Sequence, residues 1–274
     1  MILFPNCKIN LGLHITHKRK DGYHDIETLF YPVGLKDALE MVISENGHKN
    51  KEVDFSSSGL EITGDTADNL CVKAYHLLKK DFPSLPFLHM HLLKKIPMGA
   101  GLGGGSADGA FALLLLNQLC HLGLSEDQLM VYALQLGSDC PFFIHNKPCM
   151  AKGRGEKMKE ITLDLSGYTF LIVNPGIHIS TAKAFAGIKP QQPELSIEKI
   201  MEYPVNQWKK LLSNDFEQTI GEQYPKILQI KEDLYHAGAL YASMTGSGSS
   251  VYGLFEKGND TKRKLPFEFT TYLI

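Results

Sequence analysis

Between Pro97 and Asp108 the chain reads Pro-Met-Gly-Ala-Gly-Leu-Gly-Gly-Gly-Ser-Ala-Asp, with five glycines among the seven residues Gly99 to Gly105. Glycines in that density let a backbone reach positive φ and approach a ligand closely, at an entropic cost that a plain connector has no reason to carry. An alanine- and leucine-rich stretch, Ala107 to Leu122, follows at once and has the length of a buried helix closed by Gly123. Unpaired N–H groups at a helix N-terminus, together with the helix dipole, make such a junction a seat for phosphate oxygens. The Ser106 hydroxyl adds one more partner. Two common phosphate loops do not fit. A P-loop needs Lys before its Ser/Thr, whereas Gly105 precedes Ser106. A dinucleotide fingerprint drawn through Gly99, Gly101 and Gly104 lacks the acidic residue about 20 positions on, where Leu119, Cys120 and His121 stand.

Two further charged groups sit where local pattern can aim them, an ammonium at Lys8 and a carboxylate at Asp139. From Cys7 to Ile15 the residues alternate, placing Ile9, Leu11, Leu13 and Ile15 on one face of a strand and Lys8, Asn10, Gly12 and His14 on the other. Asp139 falls between a helix end at Gly137 and Pro141, on a turn that can aim a carboxylate. His89 and His91 share one strand face as a zinc pair would, but no third ligand is in sight and an exposed face explains them. Asp108 suits the positive end of its helix and is assigned no chemistry.

The elements that must position these groups follow from pattern. Tyr23 to Pro32, Ala38 to Ser44, Glu52 to Ser56 and Phe87 to Lys95 read as strands, and Asp68 as the N-cap of a helix with Leu70, Ala74, Leu77 and Leu78 inward. Ser125 and Gln128 form a capping box. A hairpin over Met150 to Ile161 turns at Gly153-Arg154-Gly155, a strand covers Thr169 to Val173, and helices over Ser180–Ala186, Ser196–Glu202, Trp208–Asn214 and a long Phe216–His236 precede strands near Ala242 and Val251. The 274 residues, at about 150 per domain, suggest two α+β domains, 1–155 and 156–274. With 28 Lys+Arg against 30 Asp+Glu and no basic block, nothing marks a nucleic-acid or membrane surface. The longest apolar run, Ala110 to Leu116, is too short to span a bilayer, and five cysteines without a C-x-x-C pair read as free thiols in a reducing, cytoplasmic setting.

The run Pro97–Ala107 resembles the second motif of the superfamily of galactokinase, homoserine kinase, mevalonate kinase and phosphomevalonate kinase (GHMP kinases), and Pro5–Leu11 is similar to its opening motif. Asp21-Gly22-Tyr23-His24 with Glu27-Thr28-Leu29-Phe30 resembles a segment of one branch, the 4-diphosphocytidyl-2-C-methyl-D-erythritol kinase family. Asp68-Asn69-Leu70, Leu136 to Phe142 and the late loop Met244 to Val251 match in the same order. The resemblance implies a two-domain α+β GHMP kinase fold, an N-terminal ribosomal-protein-S5-like nucleotide-binding domain followed by a smaller ferredoxin-like one. It implies an enzyme that moves the γ-phosphoryl group of ATP, with Mg²⁺, to the 2-hydroxyl of a cytidine-diphosphate substrate, in a step of non-mevalonate isoprenoid precursor synthesis.

By the same resemblance Asp139 is the general base and Lys8 stands beside it, while Asn10 contacts the sugar alcohol. Tyr23, Phe30 and Phe185 stack on cytosine, His24 reads its edge through backbone groups, and Thr181 also meets the substrate. ATP falls to Asn69, Leu70, Lys94 or Lys95, the loop from Pro97 through Met98, Gly99, Ala100, Gly101, Leu102, Gly103, Gly104 and Gly105 to Ser106, and the second glycine loop at Gly246 and Ser247, which steadies the first. No residue is assigned as a metal ligand, and the chain is expected to be a monomer or weak homodimer. A valine at Gly104 should block nucleotide without unfolding the chain. Past Phe255 the sequence, polar over Asn259 to Lys264 and with Pro266 against helix, is shorter than is usual for the family. A GHMP kinase for another small alcohol, a silent nucleotide-binding protein and an oxidoreductase are the alternatives.

Overall fold

The computed structural model describes residues 1–44, 52–258 and 269–274. Their strands in chain order are β1 (Ile2–Leu3), β2 (Asn6–Lys18), β3 (His24–Lys36), β4 (Ala38–Ser44), β5 (Val53–Gly59), β6 (Phe87–Lys94), β7 (Cys149–Gly153), β8 (Lys157–Glu160), β9 (Tyr168–Asn174), β10 (Tyr241–Met244), β11 (Val251–Glu256) and β12 (Thr270–Leu273). The helices are α1 (Leu70–Asp81), α2 (Gly104–Leu119), α3 (Glu126–Leu136), α4 (Cys140–His145), α5 (Thr181–Ala186), α6 (Ile197–Ile200), α7 (Val205–Leu211), α8 (Phe216–Gln223) and α9 (Pro225–His236). The segment past Phe255 that the sequence reading singled out, Asn259 to Lys264 with Pro266, lies outside the described residues.

Contacts divide the chain into two units, each assembled from three segments: Met1–Cys7, Gly34–Met98 and Gly103–Lys147 in the first, Lys8–Val33, Gly99–Leu102 and Pro148–Ile274 in the second. The first unit carries a sheet in the order β1-β4-β6-β5, in which only the β5–β6 pair is parallel. Alternation along β4 and β6 buries Leu39, Met41, Leu88, Met90 and Leu92. The opposite face carries His89, paired with Asp54 at 3.1 Å, and His91, whose ring nitrogens lie 2.8 and 2.9 Å from the Ser56 and Ser58 hydroxyls. Helices α1 to α4 pack on one another. Helix α2 comes so close to α1 that a Cβ on Gly109 would lie 2.8 Å from Leu70 Cβ. Helix α1 is capped by Asn69, whose Oδ1 accepts from Cys71 N at 2.9 Å, rather than by Asp68; Asp68 ends a short 3₁₀ turn that Asp65 caps. The capping box of α3 is present as read, and α3 ends at Gly137.

The second unit holds sheets in the orders β2-β3-β7-β8 and β10-β11-β9-β12. Leu13 and Ile15 of β2 join Phe216 and Ile220 of α8, Ile230 and Leu234 of α9, and Val173 and Val251 in one apolar cluster. The expected long helix Phe216–His236 is two helices, because Tyr224 leaves helical geometry (φ −131°, ψ 73°) ahead of Pro225, which starts α9. All five cysteines are free, with Cys7, Cys71, Cys140 and Cys149 buried. No helix among the described residues is long and apolar enough to cross a membrane.

Candidate active site

In the first unit, Gly103 takes φ +70° and hands the chain to α2, which opens on Gly104 and Gly105 and has no side-chain cap. The helix therefore begins three residues before the alanine-rich stretch suggested, and the glycines form its first turn. A Cβ on Gly105 would meet nothing nearer than Met98 Cε at 4.0 Å, so space is open above it. Gly104 differs: its Cβ would lie 2.7 Å from Ile96 Cγ2 and 3.0 Å from Lys94 Nζ. Valine there would strike the interior, which corrects the expectation that Gly104→Val spares the fold. Beside this turn lies a pocket of about 270 Å³ whose walls include Phe55, Ser57, Thr63, Asn69, Met98 and Gly105. Asn69 thus reaches the pocket wall, with its side-chain oxygen committed to capping α1.

Lys94, expected to reach the nucleotide, is wholly buried, with its Nζ bonded to Asp37 and, at 2.8 Å, to Asp108. Its ammonium supports the helix from beneath and has no exposed atom. Asp37, which pattern reading passed over, also accepts from Lys95 N and from Ile96 N at 2.8 Å and so fastens the backbone that enters the glycine loop. Burial opposes the Lys94 charge, yet Asp108 and Asp37 outweigh it and hold its pKa above the ordinary value. Burial also dominates at Asp108, exceeding the pull of Lys94, with Asp37 adding to it, and pushes this carboxyl up to about 7.

Asp139 stands at the N-cap position of α4 without capping it, and Ser138 Oγ lies 3.5 Å from its Oδ1. The neighbouring Cys140 thiol is hydrogen-bonded to Ser106 on the first turn of α2, so the Asp139 turn is tied to the glycine-rich helix start. Burial raises that thiol to about 12, which keeps it a neutral hydrogen-bonding group. The short α4 escaped the sequence reading because six residues show no helical period.

In the second unit, Lys8 and Asn10 share a face of β2 as the alternation requires, and Lys8 Nζ donates to Asn10 Oδ1 at 2.7 Å. Asn10 Nδ2 donates to Thr28 Oγ1 at 2.9 Å. Both residues are nearly inaccessible, 4 % exposed for Lys8 and 2 % for Asn10. Phe30, expected to stack on a base, is buried with its ring centroid 4.6 Å from Lys8 Nζ, so its face serves the lysine. Tyr23 is exposed, and its ring lies 4.8 Å from the Arg154 guanidinium. The His24 ring stacks on Phe185 (centroids 4.8 Å apart, 15° between planes), and burial lowers its pKa. Phe216 meets Phe185 edge-on at 4.8 Å.

The loop between β10 and β11 holds the tip of the first glycine loop. Thr245 Oγ1 lies 3.1 Å from Gly101 O, and Ser250 N donates to Ala100 O at 3.2 Å. Gly101, at φ +78°, has no room for a side chain, since a Cβ would overlap the Thr245 carbonyl oxygen. Asn214 Nδ2 donates to Met244 O and Gly246 O at 2.8 and 2.9 Å, clamping the second loop from outside it. Thr181 Oγ1 lies 3.4 Å from Ser247 Oγ. Asn214 and Thr245 were not singled out from sequence. Asn214 Oδ1 accepts locally from Phe216 N and Thr245 lies in the matched late loop, but the bonds that hold the two glycine loops reach partners 30 or more residues away, which local spacing does not signal.

The GHMP kinases N terminal domain model matches residues 69–147 and the GHMP kinases C terminal model residues 198–269. A 4-diphosphocytidyl-2-C-methyl-D-erythritol kinase of Bacteroides thetaiotaomicron is 56 % identical over 256 residues, covering 93 % of this chain and 92 % of its own. One of Bacteroides fragilis is 52 % identical over 268 residues, 98 % and 96 % of the two chains. A crystal structure of 4-(cytidine 5'-diphospho)-2C-methyl-D-erythritol kinase superposes with TM-score 0.85 at 28 % identity, covering 100 % of this chain and 98 % of that one. The Methanococcus jannaschii mevalonate kinase, at 15 % identity and TM-score 0.74 over 100 % and 97 % of the chains, shares the fold. With motifs, fold and full-length relatives in agreement, the chain belongs to the 4-diphosphocytidyl-2-C-methyl-D-erythritol kinase family of the GHMP kinases.

Proposed function

We propose that this protein transfers the γ-phosphoryl group of ATP to the 2-hydroxyl of 4-diphosphocytidyl-2-C-methyl-D-erythritol. The observation that carries the reading is the uncapped, glycine-built start of α2 opening beside a pocket. At about 270 Å³, near the lower end of roughly 300–1,000 Å³ for small-molecule sites, the pocket suits the nucleoside end of ATP. The triphosphate then lies on the first-turn amides of α2, where the dipole favours negative charge. Mg²⁺ arrives with ATP as part of the substrate, its shell drawn mainly from phosphate oxygens and water. No three His, Cys, Asp or Glu side chains gather as an ion site among the described residues, and no protein ligand is assigned.

Asp139 accepts the proton of the attacking hydroxyl, and Lys8 supplies positive charge for the alkoxide as it develops. Thr181 and the aromatic group of Tyr23, His24 and Phe185 receive the cytidine end. Stacking gives affinity there and hydrogen bonds to the base edge give discrimination. Asn10 has one Nδ2 proton left for the sugar alcohol once Thr28 has taken the other.

Incubating the protein with MgATP and a panel of alcohols, including the cytidine substrate, mevalonate and homoserine, and reading products by mass spectrometry tests the assignment. A gain of one phosphoryl group on the cytidine substrate alone is expected. A gain on another alcohol instead would replace the substrate, and a gain on none would leave a nucleotide-binding protein without this activity. A second check follows from the open space above Gly105. Gly105→Val should weaken ATP binding about tenfold or more by calorimetry, with the thermal midpoint within about 2 °C of wild type, since a Cβ at that position meets nothing nearer than Met98 Cε at 4.0 Å. Unchanged affinity would move the phosphates off this turn.

A further inference from the structure

Thr28 belongs to β3, is fully buried, and hydrogen-bonds Asn10. Its hydroxyl donates to Gly12 O at 2.5 Å. A hydroxyl has one proton, so with that proton committed Thr28 Oγ1 can only accept. The Asn10 side chain, 2.9 Å away, must therefore present its Nδ2 to Thr28. That choice turns Asn10 Oδ1 toward Lys8, whose Nζ can only donate and lies 2.7 Å off. Were the amide reversed, Nδ2 would face the ammonium, donor against donor, while Oδ1 faced an oxygen without a proton to give. The bonds thus run in one direction, from Lys8 through Asn10 and Thr28 to Gly12 O. Strand β3 controls Lys8 twice, since Phe30, two residues on from Thr28, places its ring beneath the same ammonium.

We propose that Thr28 is a positioning residue for phosphoryl transfer: its hydroxyl fixes which way the Asn10 amide points and, through that amide, where the Lys8 ammonium is held. The proposal rests on the reading that Lys8 acts on the acceptor oxygen. Ammonium placement is felt in the transition state more than in substrate binding, so loss of the hydroxyl should lower kcat and leave the KM for ATP alone.

The test is a double-mutant cycle on the full chain with MgATP and the cytidine substrate, in which folded fractions are checked by circular dichroism. Thr28→Val, nearly isosteric, should lower kcat about 30-fold with the KM for ATP within about twofold, and Thr28→Ser should restore kcat to within about threefold. In a Lys8→Ala background, Thr28→Val should cost less than about twofold more, because the group it positions is gone; a merely structural threonine would give the same loss in both backgrounds. If Thr28→Val does not fold, Thr28→Cys, whose sulfur is a weak acceptor, carries the same expectation. Full kcat in Thr28→Val, or equal losses with and without Lys8, overturns the proposal while the kinase reading stands. A wild-type protein that leaves the cytidine substrate unphosphorylated, or a Lys8→Ala variant with wild-type kcat, overturns the reading on which the proposal rests.

Discussion

Asp139→Asn is expected to lower kcat by at least about 100-fold while the Kd for ATP stays within about twofold. The side chain stands at the start of α4 without serving as its cap, so replacing it removes no helix-end hydrogen bond. Asparagine keeps the volume and a donor–acceptor pair, but its amide cannot take a proton from the attacking hydroxyl. General-base assistance is worth roughly 10²–10⁴ in rate, which sets the scale of the loss. The adjoining Cys140–Ser106 bond belongs to other residues and should survive, keeping the α2 start intact for ATP. Steady-state kinetics on the cytidine substrate, paired with calorimetric titration of ATP, reads both halves. Turnover within tenfold of wild type would take Asp139 out of the proton's path.

Lys94→Met should act on the fold instead. It leaves Asp37 and Asp108 buried with no counter-charge, and breaking a buried pair in that way costs about 3–5 kcal/mol. Methionine preserves most of the apolar stem, so the loss measures the charge rather than the packing. Urea unfolding at pH 8 should show it, or the variant should fail to accumulate. A lysine whose main task was to touch the nucleotide would behave otherwise, giving a normally folded protein with weak ATP binding, and that result would refute the supporting role. Asp108→Asn is the companion variant. Because the folded-state pKa of Asp108 is raised to about 7 from an ordinary 3.8, its contribution to stability is complete below about pH 4 and is lost as pH rises toward 7. The asparagine has no such proton to lose, so its stability should fall less than that of wild type between pH 4 and 7.

These two residues show what local sequence can and cannot reach. Gly137 and Pro141 bracket Asp139 and mark its turn, which the fold places at the start of α4, while its role as base comes from the family resemblance and awaits the Asp139→Asn test. Lys94 was legible only as a cation next to a glycine loop. Its neighbours in the chain suggest a nucleotide contact, whereas its partner Asp37 is 57 residues away across a β pairing, and that partner decides the role. Asn69 and Asp68 make the same point at one residue's distance. Both are good caps, and only the backbone geometry (φ −63°, ψ 130° at Asn69) selects the first for α1. Phe30 was an aromatic at a matching place, and burial against Lys8 gave its face another use.

What the sequence determined by itself is what depends on neighbours along the chain: the glycines that permit positive φ, the strand alternation that aligns Lys8 with Asn10, the capping box of α3, and with them the family. The tertiary structure alone decided which donors met which acceptors: Lys94 with Asp37, Asn10 with Thr28, Asn214 with the second glycine loop. A buried polar group must find a partner, but its type says only that one is needed. The fold brings distant residues within 3 Å and so chooses which one it is.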